Sequence, residues 1–229
     1  MKKVIKAYLQ LEEHVLLMIK AEFFVQLIGA AFFLILNIYL AKQGFSDPEI
    51  ANFISYRFLA VMLLAFPLGF YIKGKPLKPF FILGSLGVPT VAIALVLAIQ
   101  YGLYHYLPAL FILWGVVFTL FQVSSLPYVM RNTSVANQSH AISLNYATHS
   151  FGTILSGIMI FGFGQFMREM DEGVILLFIA TLGFVGVYYL LKMKVDVVIP
   201  VKKGLQWKSY DWGLLLKAIV PTIIIAIGA

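Results

Sequence analysis

The chain has 229 residues, of which 61% are hydrophobic and only 12% are charged, and its mean hydropathy is +0.92. A soluble domain of this size needs more charge to cover its surface, so lipid is expected to surround most of the chain. Cysteine is absent, which excludes disulfides, iron–sulfur clusters and thiolate zinc sites. The net charge of +7 would suggest a nucleic-acid partner for a soluble protein. Its placement favours the cytoplasmic face of a membrane instead, and we expect no nucleic-acid partner.

Apolar runs of about 20 residues, long enough to cross a bilayer as helices, recur along the chain. The second has the clearest start, because Ser46 and Glu49 are spaced as a capping box with Pro48 between them. Residues 1–20 are expected to form a cytoplasmic segment that lies along the membrane surface, since residues 4–20 are amphipathic. The sequence thus predicts an all-α integral membrane bundle over residues 21–191, with spans at 21–41, 48–72, 79–100, 107–129, 141–166 and 173–191.

The end of the chain predicts a protein that continues further. A basic stretch, residues 192–211, follows the sixth span and is expected to be a cytoplasmic linker. Residues 212–229 begin a new apolar run, but Ala218–Ala229 would form only about 18 Å of helix, too short to cross. We expect this run to be the truncated start of a seventh membrane helix.

The basic residues predict the orientation of the bundle. Thirteen of the seventeen Lys and Arg residues fall in segments on the side of the N-terminus, whereas the opposite loops hold only Lys42 and Arg168. Because cytoplasmic loops are enriched in Lys and Arg, the N-terminus is expected in the cytoplasm. The membrane is expected to be the inner membrane of a bacterium.

Polar side chains are concentrated in a few of the spans. Such residues face protein or a water-filled cavity when they lie in a bilayer. We therefore expect the first, second, fourth and fifth spans to enclose a polar interior, with the third and sixth facing lipid. The candidate solute-binding residues outside the second span are Gln26 and Asn37 in the first span, Gln122 in the fourth, and Asn145 and His149 in the fifth.

Charged and titratable residues add three candidates with open alternatives. Arg57 lies nine residues into the second span, where it either captures an anionic solute group or makes a fixed structural contact. Glu22 is a candidate proton carrier if it is buried, and an interfacial position beside Lys20 is the preferred alternative. His149 is a candidate proton relay or an ordinary packing histidine.

The loop after the second span has a basic pattern that begins with a glycine. Residues 69–78 read Gly-Phe-Tyr-Ile-Lys-Gly-Lys-Pro-Leu-Lys. With the six-span topology and the basic linker, this loop resembles the major facilitator superfamily, although Lys73 replaces the family's aspartate. The resemblance implies a six-helix half built from two inverted three-helix repeats (3+3). It also implies a central cavity lined by the first and fourth spans with the second and fifth, and a C-terminal six-helix half as partner.

No enzyme motif is present in the sequence. It contains no H-E-x-x-H, G-x-S-x-G or phosphate-binding G-x-x-x-x-G-K-[ST], so no catalytic residue, metal or cofactor is predicted. The expected function is secondary transport of a small polar or anionic solute across the lipid bilayer by alternating access. The alternative is a self-contained six-helix channel or scaffold module.

Overall fold

A computed structural model of the protein describes residues 11–166 and 171–194, together with Gly213 and Lys217. Every regular element in these residues is a helix. Six of the helical segments are long and apolar enough to cross a membrane. The predicted all-α integral membrane architecture with six spans is therefore confirmed at this level.

Two of the predicted segments fall largely outside the described part of the chain. The six spans belong to one unit, residues 1–199, and residues 200–229 form a second unit. The predicted linker is described only to residue 194. Of the predicted seventh helix, the structure describes only Gly213 and Lys217, both helical.

The spans follow one another with short connections. The sixth span consists of two consecutive helices, and a 3-10 turn at Tyr104–Tyr106 leads into the fourth span. The helices are α1 (Glu13–Lys42), α2 (Asp47–Tyr71), α3 (Lys78–Gln100), α4 (Leu107–Asn132), α5 (Gln138–Phe166), α6 (Glu172–Leu182) and α7 (Val185–Lys192).

Local chemistry fixes the connections between the first four spans. The predicted capping box at α2 is present, because the backbone N–H and the hydroxyl of Ser46 both donate to Glu49 Oε2, at 2.9 and 2.7 Å. The three turns that follow α1, α2 and α3 each contain a glycine in the left-handed region. These are Gly44, Gly74 and Gly102, with φ values of 92°, 73° and 68°. Other L-residues would be strained there, so glycine permits the tight reversals between spans.

α1 begins earlier than the sequence suggested. It starts at Glu13, so the expectation of a separate surface segment over residues 1–20 is wrong for residues 13–20. Val15 and Met18 in this stretch are fully buried against the bundle. Burial of this apolar stripe stabilises the first turns as helix, which the amphipathic pattern alone could not distinguish from a helix on the membrane surface.

The centre of the bundle is formed by α1, α3 and α4. α1 packs against α5 on one side and against α6 and α7 on the other, while α4 packs against α2 and α3. α3 also contacts α1, α6 and α7, so it is one of the most buried spans, and α2 and α5 are the least buried. The third span therefore packs against other helices through more than half of its residues, while Leu83 and Leu86 on it are exposed. The number of polar residues in a span indicates whether one of its faces contacts a polar interior. It does not indicate how much of the helix surface is buried by neighbouring helices.

Glycine and serine bring neighbouring helices into backbone contact. A Cβ on Gly115 of α4 would overlap the carbonyl oxygen of Arg57 on α2. A Cβ on Gly152 of α5 would lie 3.2 Å from the backbone nitrogen of Leu27 on α1. One turn later, the Ser156 hydroxyl donates to the Leu27 carbonyl oxygen at 2.9 Å. These contacts are the close packing that small residues allow between membrane helices.

Charged side chains tie the helix ends together at both ends of the bundle. Lys42 at the end of α1 forms an ion pair with Glu172 at the start of α6. At the other end, Arg131 of α4 donates to the carbonyl oxygens of Lys75 and Ile72, at 3.1 and 3.5 Å. Arg131 thereby ties the end of α4 to the C-cap of α2 and to the loop that follows it.

The orientation of these two ends can be tested directly, because the sequence has no cysteine. Single cysteines at the exposed positions Lys75 and Gln43 report on opposite ends of the bundle. With the N-terminus in the cytoplasm, an impermeant thiol reagent should label Gln43→Cys and not Lys75→Cys in intact cells. Both should label after the cells are permeabilised. Labelling of Lys75→Cys alone in intact cells would reverse the orientation.

Candidate functional site

A polar cavity of about 460 Å³ lies among α1, α2, α4 and α5. These are the four spans that the sequence predicted around a polar interior, and α3, α6 and α7 contribute no lining residue. The lining residues are Glu22, Gln26, Gly29, Ala30 and Phe33 of α1; Arg57 and Phe58 of α2; Phe118, Gln122, Ser125 and Leu126 of α4; and Asn145, Tyr146 and His149 of α5.

A second depression, a groove between α1 and α5, has a similar volume of about 480 Å³. Its walls are almost entirely apolar, and Lys20 is the charged residue among them. Solute sites combine apolar walls with a few converging polar groups that fix orientation. Of these two spaces, the first has that combination, whereas an apolar groove on a membrane protein suits lipid chains.

Helical spacing brings the polar groups to the cavity. Glu22, Gln26 and Phe33 follow one another on one face of α1 at intervals of four and seven residues. On α4, Phe118 and Gln122 are likewise four residues apart and point to the same side. Each helix therefore presents both polar and aromatic side chains to the cavity.

Arg57 lies in the cavity wall within a box of aromatic rings. Its guanidinium carbon is 4.2 Å from the centroid of the Trp114 ring, 5.0 Å from that of Phe118 and 5.6 Å from that of Phe58. The Nε atom is buried and has no hydrogen-bond partner. No carboxylate of the described residues forms an ion pair with Arg57. The ring faces attract the cation, but they are weaker hydrogen-bond acceptors than oxygen atoms are. The guanidinium therefore remains available to a ligand that carries oxygen acceptors.

Glu22 is buried, with only 2% of its surface exposed. The expectation of an interfacial position for this residue is therefore wrong. It is the tenth residue of α1, about 14 Å from the helix start, because α1 begins at Glu13. Ser125 Oγ lies 2.7 Å from Glu22 Oε2 and 3.1 Å from Asn145 Oδ1, so one hydroxyl links α1, α4 and α5. Glu22 also shares the cavity with Arg57.

Gln26 and His149 form a second polar contact across the cavity, between α1 and α5. The Nδ1 atom of His149 lies 3.2 Å from Gln26 Oε1. Since the amide oxygen only accepts, Nδ1 carries the hydrogen in this arrangement, and Nε2 is left as an acceptor in the neutral ring. The contact joins two of the sequence-predicted candidates, and Gln122 lines the same cavity from α4.

Asn37 is the sequence candidate that does not join this cavity. It lies three turns beyond Gln26 and lines a separate small cavity of about 60 Å³, together with Trp114 and Arg57. The Asn37 side chain is exposed. Arg57 thus separates the two spaces.

The structure adds residues that the sequence analysis did not select. Trp114, Phe118 and Phe58 surround Arg57, and Ser125 links Glu22 to Asn145. A usable signal was present for two of them, because Trp114 and Phe118 lie eight and four residues before Gln122 on one helical face. Aromatic residues are so frequent in this chain that the spacing alone could not distinguish a cation box from lipid-facing rings.

Cofactor and metal sites require clusters of ligating side chains. Within residues 11–166 and 171–194, no group of three or more His, Asp or Glu residues is arranged to hold a metal ion. Comparison with protein-family models, with curated proteins and with solved structures found no match.

Proposed function

We propose that this chain is the N-terminal six-helix half of a secondary transporter of the major facilitator type. In this proposal a small polar or anionic solute crosses the membrane by alternating access, without enzymatic chemistry. The observation that carries it is Arg57, a permanent cation in the wall of a polar cavity with an unpaired buried Nε. Intramembrane charges without a protein partner are expensive, and a site that receives an anion explains this one.

The contacts between helices support a pair of three-helix repeats. Exchanging the first span with the fourth, the second with the fifth and the third with the sixth converts the α1–α5 contact into the α4–α2 contact. The same exchange converts the α4–α3 contact into the contact of α1 with α6 and α7. The α1–α3 contact has no equally extensive counterpart between α4 and the sixth span within the described residues. This near-symmetry is what a 3+3 arrangement requires.

Exposed residues at the rim of the cavity favour a second wall that is supplied from outside this chain. Phe33, Phe58 and Tyr146 line the cavity and are 75%, 57% and 63% exposed. They lie on α1, α2 and α5, and the last two helices are the least buried spans. A second six-helix bundle placed over this rim would enclose the solute, and rocking of the two bundles would expose it to either side.

The proposal is tested with the complete protein and with residues 1–229, each reconstituted in proteoliposomes. Uptake of a panel of labelled small organic anions is measured in both. The complete protein should take up at least one anion, whereas residues 1–229 should take up none because half of the cavity wall is missing. The complete reading frame should encode twelve spans.

Two results would contradict this proposal. Equal uptake by residues 1–229 and by the complete protein would favour a self-contained six-helix channel. A reading frame that stops after Ala229 would remove the second bundle altogether.

A further inference from the structure

One hydroxyl group in the cavity lies between two acceptors. Ser125 Oγ is 2.7 Å from Glu22 Oε2 and 3.1 Å from Asn145 Oδ1. Serine has a single hydrogen to donate, so an ionised Glu22 would leave one of these two contacts without a hydrogen. A protonated Glu22 donates to Ser125, and Ser125 then donates to Asn145. With Oδ1 of Asn145 facing the hydroxyl, both contacts are hydrogen bonds when Glu22 holds a proton.

The cavity then has one permanent positive charge. Arg57 supplies it, and the protonated Glu22 supplies none. The other titratable lining residues are Tyr146 and His149, whose Nδ1 lies 3.2 Å from Gln26 Oε1. No lining residue of α4 is charged. A single fixed positive charge matches a solute with a single negative charge, because a second negative charge would be buried without compensation.

The shape and chemistry of the wall further restrict the solute. Arg57 lines the cavity, and the planar donor fork of a guanidinium matches the two oxygens of a carboxylate. Phe33, Phe58 and Phe118 line the space beside it. These rings favour an apolar body on the same molecule.

We infer that the cavity takes a monocarboxylate with a small apolar body, bound at Arg57 together with one proton on Glu22. This inference rests on the proposed transport function. One proton passes from water to Glu22 Oε2 and one carboxylate binds at Arg57, and both leave on the other side. No bond other than that of the proton is formed or broken. The transfer moves no net charge.

Coupled binding of the proton and the anion makes the affinity for the anion depend on pH. If the anion binds well only when Glu22 is protonated, its affinity is constant at low pH and falls as pH rises above the titration of Glu22. In that range the Kd should rise about tenfold per pH unit, because one proton is bound with each anion.

The experiment measures binding of benzoate and butyrate to the complete protein by calorimetry between pH 5.5 and 8.5. The wild type should show the flat and rising regions. Glu22→Gln, which resembles the protonated acid, should bind with the low-pH affinity at every pH. Arg57→Ala should bind about a hundredfold more weakly throughout. Glu49→Gln, which changes an exposed carboxylate in the α2 capping box, should keep the wild-type pH dependence.

Three results would overturn the inference. If the wild-type affinity does not change with pH, no proton binds together with the anion. The proposed solute class is contradicted if succinate, phthalate or inorganic phosphate binds more tightly than both monocarboxylates. It is also contradicted if neither monocarboxylate binds. Binding as expected, but with no counterflow of benzoate in proteoliposomes, would support the paired site and overturn the transport function instead.

Discussion

Replacing Arg57 with alanine should reduce solute uptake by the complete protein about a hundredfold, equivalent to about 3 kcal/mol. The variant loses both the charge and the planar donor fork in the cavity wall. Arg57→Lys keeps the charge but not the fork, and its uptake should fall about tenfold. The measurement is the initial uptake rate in proteoliposomes at equal protein content.

The thermal stability of Arg57→Ala should differ little from that of the wild type. The buried, unpaired Nε costs about 1–3 kcal/mol of folding free energy, and the ring contacts with Trp114 and Phe118 contribute about 0.5–2 kcal/mol. These contributions nearly offset each other, so the melting temperature of Arg57→Ala in detergent should stay within about 3 °C of wild type.

Arg131→Ala is the matched control, because Arg131 is structural in a way that Arg57 is not. Its guanidinium donates to two carbonyl oxygens at the end of α2 and the loop that follows. This variant should lose stability while the folded fraction transports normally. A stable Arg57→Ala protein with undiminished uptake would refute the proposed role of Arg57. The solute site would then be sought at Gln26, Asn145 and His149.

Replacing Gly115 with leucine should prevent α2 and α4 from packing. Even the first carbon of a side chain at this position would overlap the Arg57 carbonyl oxygen and lie 2.9 Å from Ala60 Cβ. The obstacle is backbone, which no rotamer change can move, so the two helices must separate. Gly115→Ala should destabilise the bundle by about 1–3 kcal/mol, the usual range for overpacking, and Gly115→Leu should abolish the monodisperse folded protein.

Gly157→Ala provides the control for this prediction. A Cβ at Gly157 on α5 would meet no atom within 4 Å. This variant should be as stable as the wild type or slightly more so, because alanine favours helix over glycine by about 1 kcal/mol. Melting in detergent, followed by size-exclusion chromatography, distinguishes the cases. Equal melting temperatures for Gly115→Leu and Gly157→Ala would show that α2 and α4 do not approach so closely.

The spans were predictable from the sequence because their cause is local. Hydropathy over about 20 residues and the capping box at Ser46 depend only on neighbouring residues, and both are present in the structure. The polar cavity among four spans was also foreseen, since helical spacing determines which side chains share a face. Its aromatic box was not foreseen, because Trp114 and Phe118 meet Arg57 only through the packing of α4 on α2.

Glu22 and Asn37 show where sequence reasoning fails. Lys20 made an interfacial Glu22 plausible, but whether a residue two positions away is buried depends on the rotation of α1 against α4 and α5. Asn37 shares the approximate face of Gln26, yet three turns of helix carry it past Arg57 into a different space. Periodicity predicts which side of the helix a side chain is on. It does not predict how far along that helix the cavity extends before a residue of a neighbouring helix closes it.

The burial of Glu22 also has a consequence for biosynthesis. Its partner Ser125 lies 103 residues further along the chain, and Asn145 follows later still. At about 5–20 residues per second, α1 is complete roughly 5–20 s before α4 exists to receive it. A carboxyl group alone in hydrocarbon is unfavourable by a few kcal/mol, so Glu22 makes insertion of α1 by itself less favourable by about that amount. The contacts with Ser125 and Asn145 can offset this cost only after α4 and α5 have been made, so the polar core of the bundle forms late in its synthesis.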